Sequence, residues 1–162
     1  MKKSRLSPLQ ERILVVLAPL EPAWTLTGGA ALAGFYTCHR STRDVEDPTV
    51  VVLAGASVVV DTLHEILVNK LCALLGRSEL RDLQDVRAIL DTGAELERAL
   101  VDAPEKDAGF SGPTLAWILR QFPLAAVAAA SALAPAEVVE LDAFRDALID
   151  RVLRAVHPGE AR

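Results

Sequence analysis

The fold of this chain is limited most by where its β-branched residues lie. Thr49 to Leu53 and Ser57 to Val60 are dense in valine and joined by Ala54-Gly55-Ala56, which reads as a buried hairpin. Beyond Thr62 no such run recurs. Helical apolar spacing takes over, at roughly 62–75, 79–91, 94–102, 112–121, 123–133 and 136–156, with Gly76, Gly93, Pro104, Gly109, Gly112, Pro123 and Pro135 as breaks. A small α/β front part (residues 1–61) and a helical part (62–162) are expected, sharing one core and lacking a low-complexity linker between them.

The front part adds a third and a fourth strand. Trp24 to Thr27 is β-prone and runs into Gly28-Gly29, after which Ala30 to Tyr36 reads as a short apolar helix. Asp44-Val45-Glu46 alternates, placing both acids on one face of a strand. The expected fold class is therefore α/β in the α+β sense, a small mixed sheet of about four strands with a C-terminal helical array. Ahead of it, Ser7 caps a helix from Pro8 to about Ala18, expected to pack through Leu9, Ile13, Val16, Leu17 and Leu20. Gln10, Glu11 and Arg12 interrupt what would otherwise imitate a secretory signal.

Composition removes several function classes. Seventeen Lys and Arg against twenty-two Asp and Glu leave a net charge of −5, so no global field draws nucleic acid or anionic lipid. Seven aromatic residues are too few for a base-stacking platform. Cys38 and Cys72 show neither a disulfide framework nor metal-ligand spacing, and the most apolar late stretch, Phe122 to Ala136, is broken by Pro123 and Pro135. A cytoplasmic protein without a membrane span is expected.

Four groupings carry chemistry. Backbone amides at Gly28-Gly29, between strand and helix, can approach a triphosphate closely, although a ligand-free tight turn uses the same residues. Asp44 and Glu46, about 7 Å apart on one strand face, repel each other unless a divalent cation such as Mg²⁺ or Mn²⁺ lies between them or the edge is solvated. Lys70, the only lysine between Lys3 and Lys106, falls in the middle of the stripe Leu63, Ile66, Leu67, Leu71 and Leu74, where an ammonium needs a carboxylate, a phosphate or a wet cleft. Arg77 and Arg81-Asp82-Leu-Gln-Asp85 place two acids on one side of the next helix with Arg81 close by, or simply on a solvated face. Thr62-Leu-His-Glu65 reads as a capping box, and His64 as exposed.

Together these stretches resemble the AbiEii/AbiGii-type nucleotidyltransferase family of bacterial toxins. The resemblance rests on Leu26 to Ala33, His39 to Glu46, His64 to Ala73, Arg77, and Arg81-Asp-Leu-Gln-Asp85, in that order. It implies a polymerase-β-like fold and Mg²⁺-dependent transfer of a nucleotide from an NTP to an acceptor, an RNA such as tRNA or a protein hydroxyl. It also implies the toxin role in a toxin–antitoxin or phage-defence pair, with an antitoxin protein as partner. Carried onto this chain, Gly28 and Gly29 would cradle the triphosphate, Asp44 and Glu46 would hold the metal, and Lys70 would contact phosphate. Asp82 and Asp85 would sit at the active cleft, with Arg40, Arg77 and Arg81 as further nucleotide-binding residues.

One departure bears on activity. Fourteen residues, Asp47 to Val60, separate the acid pair from Asp61, and the strands among them supply no third carboxylate. The alternative is a catalytically inactive remnant that binds nucleotide or a partner protein; a helical interaction module is a further one.

Overall fold

The computed structural model describes residues 7–19, 25–31, 49–53, 56–131 and 133–156. Helix α1 (Pro8–Leu17) begins at a complete capping box: Ser7 Oγ accepts from the Gln10 N–H at 3.2 Å, and Gln10 Oε1 accepts from the Ser7 N–H at 2.7 Å. Strand β1 (Thr25–Leu26) leads into the one-turn helix α2 (Gly28–Ala31), and β2 (Thr49–Leu53) into β3 (Ala56–Val60). The sheet order is β1-β3-β2, with β1 parallel and β2 antiparallel to β3. The sheet is mixed, as expected, but three strands are present among the described residues. The fourth, expected at Asp44–Glu46, lies outside them.

Six helices follow: α3 (Leu63–Gly76), α4 (Leu80–Leu90), α5 (Leu96–Lys106), α6 (Gly112–Gln121), α7 (Leu124–Ala130) and α8 (Pro135–Val156). Helix α3 packs against α2, α4, α5 and α6, so its side chains are enclosed on several sides. Ile66, Leu67, Leu71 and Leu74 are fully buried, against Leu83 and Ile89 of α4, Leu96 of α5, Leu115 and Leu119 of α6 and Leu148 of α8. Each such aliphatic side chain removed from water contributes about 1.5–3 kcal/mol. Ion pairs fasten α8 outside this core, Arg87 to Glu140 at 3.0 Å and Arg151 to Glu97 at 3.1 Å. Among the described residues no helix is long and apolar enough to cross a membrane.

Four expectations are corrected. Helix α1 packs through Leu14, with Ala18 behind it and Leu17 half-buried, while Leu9, Ile13 and Val16 point outward and Leu20 lies outside the described residues. Both sides of α1 are apolar, so its spacing alone did not choose the inward one. The hairpin is buried on one face only: Val58 and Val60 are enclosed, whereas Val50 and Val52 of the edge strand are exposed. Pro104 does not end α5, which runs on to Lys106. A proline there forfeits one backbone bond near the helix end, and the Asp107 N–H still reaches Ala103 O at 3.0 Å. Finally, only half of the α3 capping box forms. Thr62 Oγ1 accepts from the Glu65 N–H at 3.0 Å, but the Glu65 carboxylate pairs with Lys106 of α5 instead of returning to the cap.

Candidate functional site

Lys70 lies on the inner side of α3, between buried leucines, and is 8% exposed. Its ammonium meets Asp82 Oδ1 at 2.9 Å and Asp85 Oδ2 at 2.5 Å, both from the first two turns of α4. Asp82 is also gripped from its other side. Arg77, in the link between the two helices, donates from Nε to Asp82 Oδ2 at 2.8 Å and from Nη2 to Oδ1 at 3.0 Å, a two-pronged fork. Two cations and two anions thus form one neutral cluster at the α3–α4 junction.

Burial separates the two acids. The Asp82 side chain is 1% exposed and that of Asp85 27%. Burial alone would raise the Asp82 carboxyl, but Arg77 and Lys70 outweigh it and hold the group below the ordinary carboxylate range. Burial likewise pulls the Lys70 ammonium down, and Asp85 and Asp82 overcome that and keep it above its usual value. The N-terminal end of α4 adds favourable partial charge at Asp82. Arg81 is exposed and forms no ion pair among the described residues. Asp82 and Asp85, expected to project together from one side of the helix, differ in the structure: one is sealed in and the other reaches toward water.

The glycine corner meets the helix that carries Lys70. Leu26 O, at the end of β1, accepts from the Asp61 N–H at 2.9 Å, fixing the strand against the entry to α3. Gly28 follows in the left-handed region at φ +68°, where an L side chain is disfavoured. Thr27 Oγ1 accepts from Asn69 Nδ2 at 3.4 Å, and Asn69 is the neighbour of Lys70 on α3. Gly28 and Gly29 therefore begin a helix that packs on the element carrying Lys70. Arg40, Asp44 and Glu46 lie outside the described residues, and so does the expected proximity of the acid pair to the glycines and Lys70.

Two polar contacts escaped the sequence reading. Asn69 gave no signal, since its partner is 42 positions away. His64, expected to be exposed, is part-buried, with Nε2 at 2.7 Å from Asp102 Oδ2 of α5. Cys72 is a free, half-buried thiol beside Ala103 O, and burial followed by the nearby Asp107 charge pushes it above its ordinary value. No group of three or more metal-ligating side chains occurs among the described residues.

Residues 45–160 match the family model for the nucleotidyl transferase AbiEii toxin of type IV toxin–antitoxin systems. The chain belongs to the AbiEii family. No curated protein and no solved structure matches it. The matched stretch takes in Glu46, Lys70, Arg77, Arg81, Asp82 and Asp85, while Gly28, Gly29, Arg40 and Asp44 precede it. In this AbiEii chain the conjunction of α3 and α4, not either helix alone, creates the polar cluster in an otherwise apolar interior.

Proposed function

We propose that this AbiEii-family protein is the toxin of a toxin–antitoxin pair and transfers a nucleotide from an NTP to an RNA or protein acceptor. The observation that carries the reading is the Lys70 ammonium, held by Asp82 and Asp85 on the helix that also touches the glycine corner. Stability alone does not call for an ion cluster here, because well-packed apolar groups in place of all its members would do as well or better.

In the transfer, an acceptor oxygen forms a bond to the α-phosphorus as the bond to pyrophosphate breaks, and catalysis is mostly positioning and charge neutralisation. Amides at Gly28 and Gly29 would receive the triphosphate, with Arg40, Arg77 and Arg81 as supporting cations. Lys70 supplies a positive charge that stays protonated throughout the physiological range. Asp82 orients Lys70 and Arg77 without touching substrate, being sealed from solvent, and Asp85 is the acid able to face a ligand.

A divalent ion, Mg²⁺ or Mn²⁺, would be held by Asp44 and Glu46; when bound it would activate the acceptor oxygen and neutralise the leaving pyrophosphate. Asp82 fits this duty poorly, since Lys70 and Arg77 already occupy both its oxygens, and Asp85 gives one of its two to Lys70.

A second reading is an inactive, nucleotide-binding remnant. It is favoured by the valine-rich segment Asp47 to Val60, which offers no third acid on its strands. Incubation with radiolabelled triphosphates and total RNA or cell extract separates the two. Label transfer abolished by Asp44→Ala and Glu46→Ala supports the enzyme; Mg²⁺-dependent binding without transfer supports the remnant; binding unchanged in both variants removes the acid pair from the site.

A further inference from the structure

Between α3 and α4 lie three residues, Arg77, Ser78 and Glu79, and the middle one is unusual. Ser78 has φ +48°, the only positive value at a non-glycine among the described residues. An L side chain in that region crowds its own carbonyl, which is why glycine usually ends helices in this way. Here the serine returns something glycine lacks. Its hydroxyl donates to Leu74 O at 2.8 Å, satisfying one of the carbonyls left unpaired at the end of α3. Leu74 itself is fully buried, so this bond ties the turn to the core.

The direction of the chain after this turn decides where Arg77 can go. Arg77 precedes Ser78, and its guanidinium runs back across the turn to grip Asp82, five positions on. Lys70 grips the same carboxylate from α3. An Asp82 held by both cations needs α4 to start at one distance and angle from α3, and the left-handed step at Ser78 is where the backbone changes direction.

We infer that Ser78 is a positioning residue: its left-handed backbone and its hydroxyl bond to Leu74 fix the α3–α4 turn so that Arg77 and Lys70 converge on Asp82. The consequence for nucleotide transfer rests on the reading of this cluster as the transferase site. The positioning itself does not.

The test uses the full chain, with the Arg77 Nε–H resonance as the direct readout. The Arg77 side chain is itself 56% exposed, so its bond to the sealed Asp82 carboxylate is what slows exchange of that proton. Ser78→Val, a β-branched residue that the left-handed region rejects, should speed its exchange about tenfold and cut label transfer by a similar factor, as expected for loss of one charge-assisted bond. Ser78→Ala should give a smaller change in the same direction and serves if the valine variant does not fold. Ser78→Asn, which tolerates this backbone, should restore both readouts toward wild type. Ser111→Ala, which removes a helix cap at α6 away from the cluster, controls for mere destabilisation. An Arg77 proton unmoved by Ser78→Val and Ser78→Ala, or moved equally by Ser111→Ala, overturns the inference. Arg77 responding as expected while the wild type transfers no label overturns the transferase reading and leaves Ser78 in its role.

Discussion

Lys70 and Asp82 stand twelve positions apart on different helices, yet their charged atoms meet at 2.9 Å in an interior otherwise built of leucine, isoleucine and valine. Their partners differ in kind. Arg77 covers the sealed Asp82 from the helix link with a side chain that is itself exposed, and Asp85 reaches from Lys70 toward solvent.

Loss of either member should therefore cost more than loss of a surface pair. Lys70→Met and Asp82→Asn are each expected to destabilise the fold by about 2 kcal/mol, discounted from a fully sealed pair because Asp85 keeps the ammonium near water. The double variant should cost about 1 kcal/mol less than the sum of the two. Urea denaturation of all four proteins measures this; strict additivity would show that the two charges do not interact.

The same cluster sets a pH dependence. Asp82 has its carboxyl held below the ordinary range in the folded state, so its contribution is complete above the unfolded carboxylate value of about 4 and is lost as pH falls through the lower folded value. Lys70 is the converse: its contribution is complete below the unfolded value of about 10.4 and is lost as pH rises through the higher folded one. Thermal midpoints should form a plateau between these limits. Asp82→Asn should flatten the acid limb, and an acid limb identical to that of the wild type would remove Asp82 as its source.

Asp82 and Asp85 should also separate in function. Asp85→Asn is expected to lower label transfer at least tenfold with a thermal midpoint close to that of the wild type, because its carboxylate is partly exposed and has one partner to lose. Asp82→Asn should lower both. Equal loss of stability in the two variants would contradict the division drawn from their burial.

Two glycines give contrasting expectations. Gly28 has φ +68° with open space where a Cβ would stand, so Gly28→Ala should cost about 1 kcal/mol from backbone strain alone. Gly112 is the reverse: a Cβ there would lie 2.5 Å from Val156 Cγ2 and 3.4 Å from Val152 Cγ1, where α6 presses on α8. Gly112→Val should cost about 2 kcal/mol by overpacking, read from chemical denaturation.

How far the sequence reached varies by element. The helices α3 to α8 and the hairpin were legible because their apolar spacing and their Gly and Pro breaks are local signals. The inward face of α1 was not, since Leu14 and Ala18 compete with Leu9, Ile13 and Val16 at equally good helical spacing. In the candidate site, the need of Lys70 for a counter-charge followed from its place in the stripe. The identity of that partner did not, nor did the fork of Arg77 on Asp82 or the contact of Asn69 with Thr27, which depend on how one helix meets another.

The amino-acid order alone determined that an ammonium would be carried into an apolar interior and that a glycine pair would follow a short strand, because side-chain period and backbone permissiveness are properties of a few neighbouring residues. Which carboxylate that ammonium would meet, and which of two acids would be shut away from water, was decided only when α3 and α4 packed, because the cost of burying a charge depends on every group that surrounds it.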